Sequence, residues 1–149
     1  VDNDFHARFS AKKRCYVYKI INRRSPLTID ANRAWCVHKI LDTKKMQNEA
    51  SSFIGKHDLN AFRSAHCQSK SSIRTIDDMI IKIKNESIYI EVVAKSYLHS
   101  QVRIMVGTLV DIAKGNLTKS INEIIVGKKR EGAGQTAPSS GLYLKKVEY

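Results

Sequence analysis

The sequence predicts an α+β fold, with a mixed, mainly antiparallel sheet and helices packed on one face of it. Two β-rich runs, at 73–84 and 87–97, are separated only by Asn85-Glu86, which is typical of a β-hairpin. An apolar run with helical periodicity follows directly, at 98–114. The length of 149 residues suits one compact unit, so residues 1–149 are expected to form a single domain.

The first half of the chain contains one clear strand. KRCYVYKIIN (13–22) alternates β-forming side chains, which places Tyr16, Tyr18 and Ile20 on one face of that strand. Three further segments precede the hairpin: a stretch compatible with a short strand at 34–40, a predicted helix at 43–54 and a predicted polar loop at 57–72.

The second half continues from the hairpin into helices. The helix at 98–114 is ended by Gly115, and a shorter helix fits 118–127. KKREGAGQTAPSSG (128–141) is rich in Gly, Pro and Ser and is predicted to be a loop, and LYLKKVEY (142–149) closes the chain with a strand.

The charge of the chain points to polyanionic partners. It has 26 Lys and Arg against 14 Asp and Glu, a net charge of +12. Nucleic acid and an anionic membrane surface both suit such a charge, as does a basic surface with no special partner. No apolar run reaches the roughly 20 residues that span a bilayer, and no basic amphipathic anchor helix is evident. We therefore expect a nucleic-acid partner and no membrane.

The cysteines and the first residues bear on compartment and completeness. Cys15, Cys36 and Cys67 form no CxxC or Cys/His cluster, so no metal site is expected, and reduced thiols in the cytoplasm are the simplest interpretation. The start has no signal-like segment and no initiator Met, which is compatible with a piece of a longer protein.

Arg103 is an unusual residue for an apolar helix. With His99, Gly107 and Asp111 it recurs every fourth residue, so the four form one polar stripe. A glycine within a helix suggests close approach by another backbone or a ligand. A partly buried arginine needs an anion, whereas a solvated Arg103 would pair with Asp111 or a nearby Glu. The spacing alone leaves both interpretations open.

Other residues are suited to binding RNA. Tyr16 and Tyr18 share a strand face and could stack on unpaired bases, although such tyrosines are more often core residues. Basic side chains crowd the first segment and the polar loop, where they suit phosphate contacts or a solvated edge equally well: His6, Arg8, Lys12, Lys13 and Arg14, then His57, Arg63, His66 and Arg74.

Four separated motifs resemble the tRNA pseudouridine synthase A family, in order and over essentially the whole chain. They are DFHARFSA (4–11) with Arg14, Tyr16 and Tyr18; GKHDLNAFRSAHCQS (55–69) with IRTI (73–76); YLHSQVRIMVGTL (97–109); and AGQTAPSSGLYLKKVEY (133–149). The resemblance implies the fold of that family and an enzyme that isomerises uridine to pseudouridine in the tRNA anticodon stem-loop, at tRNA positions 38–40. It implies no cofactor, tRNA as partner and a homodimer.

The same resemblance assigns roles to individual residues. Arg103 matches the basic residue that pairs with the catalytic aspartate, Tyr16 the tyrosine that stacks on the target uridine, and Leu142 an apolar residue that lines the pocket. His6, Arg8, Arg14 and His99 are weaker candidates for RNA contacts, and Tyr18 is expected to be structural.

One motif of the family is missing. Its aspartate lies in an RTDAGVHA-like segment upstream of DFHARFSA, and no such segment is present. The chain is therefore expected to be the C-terminal part of a synthase, and inactive alone. The alternative is a non-catalytic RNA-binding module that retains the fold. Where the family usually has FLHHMVRNIVG, this chain differs at Ser100, Gln101 and Ile104, which puts in doubt any RNA contact made by the second histidine of that motif.

Overall fold

The fold is built on a six-stranded sheet. The computed structural model describes all residues, 1–149. The strands are β1 (Lys13–Asn22), β2 (Trp35–Val37), β3 (Gly55–Asp58), β4 (Ile73–Lys84), β5 (Ser87–Ala94) and β6 (Leu142–Glu148). Their order is β2-β1-β5-β4-β3, and β6 also pairs with β1. Only β1 and β2 run parallel, so the predicted mixed, mainly antiparallel sheet is confirmed.

Three α-helices complete the α+β fold: α1 (Thr43–Ala50), α2 (Gln101–Ala113) and α3 (Ile121–Gly127). Their apolar residues join those of one sheet face in a single buried core. Tyr18 of β1 faces this core, opposite Ile90 of β5, because residues paired across antiparallel strands share a face. On the other face Glu91 is only half-buried and bonds to surface lysines, so the helices cover one face.

The polar stretch at 57–72 departs from the predicted loop. Its first residues belong to β3, which pairs with β4 at the sheet edge, and a 3-10 turn follows at Asn60–Phe62. Leu59, Ala61 and Phe62 are fully buried. The prediction was wrong here because a four-residue edge strand is too short to show an alternating pattern.

Several element ends also differ from prediction. The predicted strands shorten to Trp35–Val37 and Ser87–Ala94, and the first helix ends at Ala50, with a 3-10 turn after it. The long helix begins at Gln101 because Ser100 adopts a left-handed conformation, φ 61°. The last helix begins at Ile121, where Ser120 and Glu123 form a capping box.

Candidate active site and nucleic-acid groove

Arg103 projects from the first turn of α2 and is half-buried. Its Nε donates a hydrogen bond of 2.7 Å to the carbonyl oxygen of Ala137. No carboxylate lies within ion-pair distance of it, and Asp111 instead accepts hydrogen bonds from Gln135. The ion pair with Asp111 that the spacing left open does not form, and the two terminal nitrogens of Arg103 make no hydrogen bond within the chain.

Gly107 marks a close contact between backbones. A Cβ at this position would lie 1.8 Å from the carbonyl oxygen of Gln135, well inside van der Waals contact. The expected close approach is therefore made by another part of the same chain, the segment that precedes β6.

Tyr18 lies near Arg103, and Leu142 is the cross-strand neighbour of Tyr18 on β6. The Tyr18 hydroxyl donates a 2.6 Å hydrogen bond to the carbonyl oxygen of Pro138. Tyr18 and Arg103 donate to the carbonyl oxygens of adjacent residues, Pro138 and Ala137, so the guanidinium lies near the phenol. Burial raises the pKa of Tyr18 well above its usual range, and the positive charge of Arg103 opposes that shift. Tyr18 is fully buried, as a structural residue would be.

Tyr16 connects this cluster to a large cavity. It lies two residues from Tyr18 on the same strand face, roughly 7 Å away along the strand. Its half-buried ring packs edge-on against Tyr97, with centroids 5.2 Å apart, and lines a cavity of about 860 Å³. Tyr16 therefore lies on β1 next to the cavity, two residues from Tyr18 and its cross-strand partner Leu142.

The cavity is basic. Four of its fifteen lining residues are Arg or Lys, two are His and none is acidic: Arg8, Arg14, Arg74, Lys95, His66 and His99. The positive charge of this region also affects the thiol of Cys67, which lines the cavity. Burial alone would raise the pKa of that thiol, but the backbone N–H groups of His99 and Ser69 and the charge of Arg63 bring it below its usual value. Such a cavity suits a polyanion better than a neutral ligand.

Comparison with known proteins gives a family. Residues 50–149 match the sequence model of a family described as tRNA pseudouridine synthase. The chain belongs to this family. Among its curated relatives are proteins named tRNA pseudouridine synthase A from Ehrlichia chaffeensis (54% identical over 99% of this chain), Anaplasma phagocytophilum (51% over all of it) and Parvibaculum lavamentivorans (44% over all of it).

The chain spans about 61% of the length of each of these tRNA pseudouridine synthases. The resemblance predicted from the motifs is thus confirmed, as is the expectation that the chain corresponds to part of such a protein. None of its helices combines the length and the apolar character that crossing a membrane would require.

The candidate RNA contacts of this pseudouridine synthase chain do not all lie in one place. Arg8, Arg14 and His99 line the cavity with Tyr16, whereas Arg103, Leu142 and His6 do not. The His6 ring packs on Phe9, and its Nδ1 accepts from the backbone N–H of Arg8. His6 therefore shapes the segment that carries Arg8.

Two of the cavity residues also have structural bonds. The guanidinium of Arg14 donates to the carbonyl oxygens of Lys95 and Arg8, so it joins two walls of the cavity. Nδ1 of His99 lies 2.6 Å from the hydroxyl of Ser64 and so links the turn before α2 to the polar stretch. Both residues hold the cavity together as well as lining it.

Lys95 was missed by sequence reasoning. It immediately follows β5 and lines the cavity. His66 and Arg74 were noted only as part of a basic loop. Arg74 is the second residue of β4 and Lys95 directly follows β5, so the pairing of the predicted hairpin could have indicated that these two lie near each other, whereas no local signal places His66. The bonds of Ser100 and Gln101 are local: Gln101 is buried and its side chain accepts from the N–H of Leu98.

Proposed function

We propose that residues 1–149 are a single domain, the C-terminal catalytic portion of a tRNA pseudouridine synthase. The whole protein would isomerise uridine to pseudouridine in the anticodon stem-loop of tRNA, at tRNA positions 38–40. In that reaction the bond from the ribose to N1 of uracil is replaced by a bond to C5, the proton on C5 is released to solvent, and N1 takes up a proton. The names of the relatives support the reaction, and the basic cavity supports an RNA substrate.

One observation carries this proposal most directly. Arg103 is held half-buried by a backbone carbonyl oxygen, with no carboxylate of the chain beside it. Its terminal N–H groups are therefore available to an aspartate from an upstream segment. A guanidinium at hydrogen-bond distance would lower the pKa of that aspartate and fix its orientation, as a nucleophilic carboxylate in a partly dehydrated site requires.

The other candidate residues take roles that fit their positions. Tyr16 would stack on the uridine that leaves the RNA stack and offset part of the lost stacking energy, about 1–3 kcal/mol per base. Leu142 would line the base pocket beside Arg103. The RNA backbone would follow the cavity, where its phosphates would contact Arg8, Arg14 and His99. His6 would contribute less directly.

The whole synthase would act as a homodimer in the cytoplasm, where tRNA is found. It would need no cofactor. The three free cysteines support a reducing compartment. The homodimer rests on the family resemblance.

The test uses tRNA that carries tritium at C5 of uridine. The whole synthase should release tritium, and the 149-residue chain alone should release none because the aspartate is absent. Turnover by this chain alone would contradict the role of an upstream nucleophile. A whole protein that binds tRNA but releases no tritium would favour the non-catalytic RNA-binding module.

Replacement of Arg103 provides the second part of that test. In the whole synthase, Arg103→Ala should lower turnover at least about 100-fold, since a misplaced catalytic group costs that much, and should leave tRNA affinity within a few fold. Arg23→Ala is the matched control, because Arg23 also donates to backbone carbonyl oxygens but lies in the loop after β1. A normal rate for Arg103→Ala would remove Arg103 from the active site.

A further inference from the structure

The segment at 133–138 is hydrogen-bonded to polar side chains of α2. The hydroxyl of Thr108 accepts from the N–H of Gly134 at 2.9 Å and donates to the carbonyl oxygen of Ile104 at 2.7 Å. One turn later, the two carboxylate oxygens of Asp111 accept from the backbone N–H and from the side-chain amide of Gln135, at 3.0 and 2.9 Å. The helix thus holds two consecutive residues of the segment with side chains of its own.

The contact leaves no room for the segment to shift toward the helix. Besides the close approach at Gly107, a Cβ on Gly134 would lie 2.6 Å from the Asp111 carboxylate and 2.7 Å from Cα of Thr108. Bonds from Thr108 and Asp111 prevent movement away from the helix, so the position of the segment is determined from both sides.

The same segment holds Arg103 at its other end. The N–H of Ala137 donates to the carbonyl oxygen of Arg103 at 3.0 Å, and the carbonyl oxygen of Ala137 accepts from Nε of Arg103 at 2.7 Å. Ala137 is fully buried. The direction of the guanidinium therefore depends on where the segment places Ala137, two residues after Gln135.

We propose that Asp111, acting through Gln135, is a positioning residue for Arg103. This inference rests on the proposed function, because it assigns to Asp111 an effect on the step that Arg103 serves. Asp111 is 8% exposed and makes no ion pair, and hydrogen bonds to Gln135 occupy both of its oxygens. Asp111 does not line the basic cavity, so its replacement is expected to leave RNA affinity unchanged.

Two variants of the pair test this role in the whole synthase. Asp111→Asn keeps the size of the side chain but replaces one acceptor oxygen with an NH2 group, which cannot accept from Gln135. Gln135→Ala removes the side-chain amide that donates to Asp111 and keeps the backbone N–H. We expect kcat to fall roughly tenfold or more, since small misplacements of a catalytic group have large effects, while KM changes less than about twofold.

Thr108 and Glu49 supply the conservative variant and the matched control. Thr108→Val removes the hydroxyl and should lower kcat in the same way, whereas Thr108→Ser retains the hydroxyl and should restore it. Glu49→Gln alters a similar bond, 2.8 Å from the Glu49 carboxylate to the N–H of Ile121, which joins α1 to α3 far from Arg103. This control should lose stability without losing kcat.

A readout that needs no activity separates this inference from the proposed function. In the 149-residue chain, the Nε–H of Arg103 should exchange slowly with solvent in NMR spectra, and Asp111→Asn should speed that exchange several-fold while Glu49→Gln does not. If the whole synthase proved inactive, the proposed function would fail and this measurement would still decide the positioning role.

Two results would contradict the positioning role of Asp111. Unchanged kcat and unchanged Nε–H exchange in Asp111→Asn, Gln135→Ala and Thr108→Val would overturn the proposal. An equal loss of kcat in Glu49→Gln would also overturn it, because the effect would then be general destabilisation.

Discussion

Tyr18 is the residue that ties the sheet to the segment bearing Ala137. Its hydroxyl donates to the carbonyl oxygen of Pro138, and its ring lies so close to Gly141 that a Cβ there would come within 2.7 Å of the ring. This hydrogen bond is part-buried, so its loss is expected to cost about 1–2 kcal/mol, the lower part of the range for a buried group left without its partner. The phenol of Tyr18 therefore stabilises the fold through its hydrogen bond to Pro138, and the loss of that bond is large enough to measure.

Tyr18→Phe should lower the free energy of unfolding at pH 7 by about 1–2 kcal/mol. Because burial raises the pKa of Tyr18, the folded chain keeps the phenol proton above pH 10.0, the ordinary pKa, while the unfolded chain loses it. The stabilisation by the phenol is thus complete below pH 10.0 and declines above it. The difference in free energy of unfolding between wild type and Tyr18→Phe should therefore be smaller at alkaline pH than at pH 7. Urea unfolding at pH 7 and at pH 11 measures both values.

Tyr89→Phe is the control for this prediction. Tyr89 lies on β5, on the face of the sheet opposite Tyr18 and away from the helices. Its replacement should change stability by less than about 0.5 kcal/mol at pH 7. A difference between wild type and Tyr18→Phe that stayed constant or grew at alkaline pH would contradict the buried, protonated phenol.

At the scale of elements, the packing of α2 against the segment at 133–138 reverses a common effect of mutation. Alanine in place of a glycine within a helix normally stabilises it by about 1 kcal/mol. At Gly107 the added Cβ would meet backbone atoms of Gln135, which cannot rotate away as a flexible side chain would. The local gain in helix propensity is therefore outweighed by overpacking.

Gly107→Ala should lower the free energy of unfolding by roughly 1–3 kcal/mol. Gly127→Ala is the matched control, since Gly127 also lies in a helix but a Cβ there would have no atom within 4 Å. The control should be neutral or slightly stabilising. Thermal melting of both variants in the 149-residue chain measures the difference, and a melting temperature for Gly107→Ala at or above that of wild type would disprove the clash.

The elements that could be predicted from the sequence are those with repeated patterns. The hairpin of β4 and β5 and the helix α2 repeat their periodicity over eight residues or more, so composition and spacing suffice. The edge strand β3 has four residues and was missed. Gly107 indicated a close approach, but its partner lies 28 residues further along the chain, and only the folded chain shows which backbone it meets.

The candidate site also has a part that the sequence could predict and a part that it could not. Motif resemblance was enough to name Arg103, Tyr16 and Leu142, which are separated in sequence. The bond from Arg103 to Ala137 depends on tertiary packing that no local pattern encodes, and so does the convergence of Lys95 with Arg8 on one cavity.

At the scale of the whole molecule, acidic side chains are paired away from the cavity. Glu91 bonds to Lys82 and Lys145 on the open sheet face, and its hydrogen bond from Lys145 lowers the pKa of the Glu91 carboxyl. Asp58 lies 3.3 Å from Lys128. The four Arg and Lys residues that line the cavity have no carboxylate among the other lining residues, so this part of the basic chain carries uncompensated positive charge. RNA affinity should therefore depend on salt through these cations.

Arg8 and Lys95 are exposed cavity cations that make no ion pair, so they are the clearest test of this electrostatic contribution. Each phosphate contact contributes about 0.7–0.9 to the slope of log affinity against log salt, and Arg8→Gln and Lys95→Gln should each reduce the slope for tRNA by about that amount. Both variants should weaken binding most at 50 mM salt and least at 200 mM. Lys119→Gln is the control, because Lys119 is exposed, follows the opposite end of α2, a helix roughly 20 Å long at 1.5 Å per residue, and does not line the cavity. Equal slopes for all three variants would show that the cavity does not hold the RNA backbone.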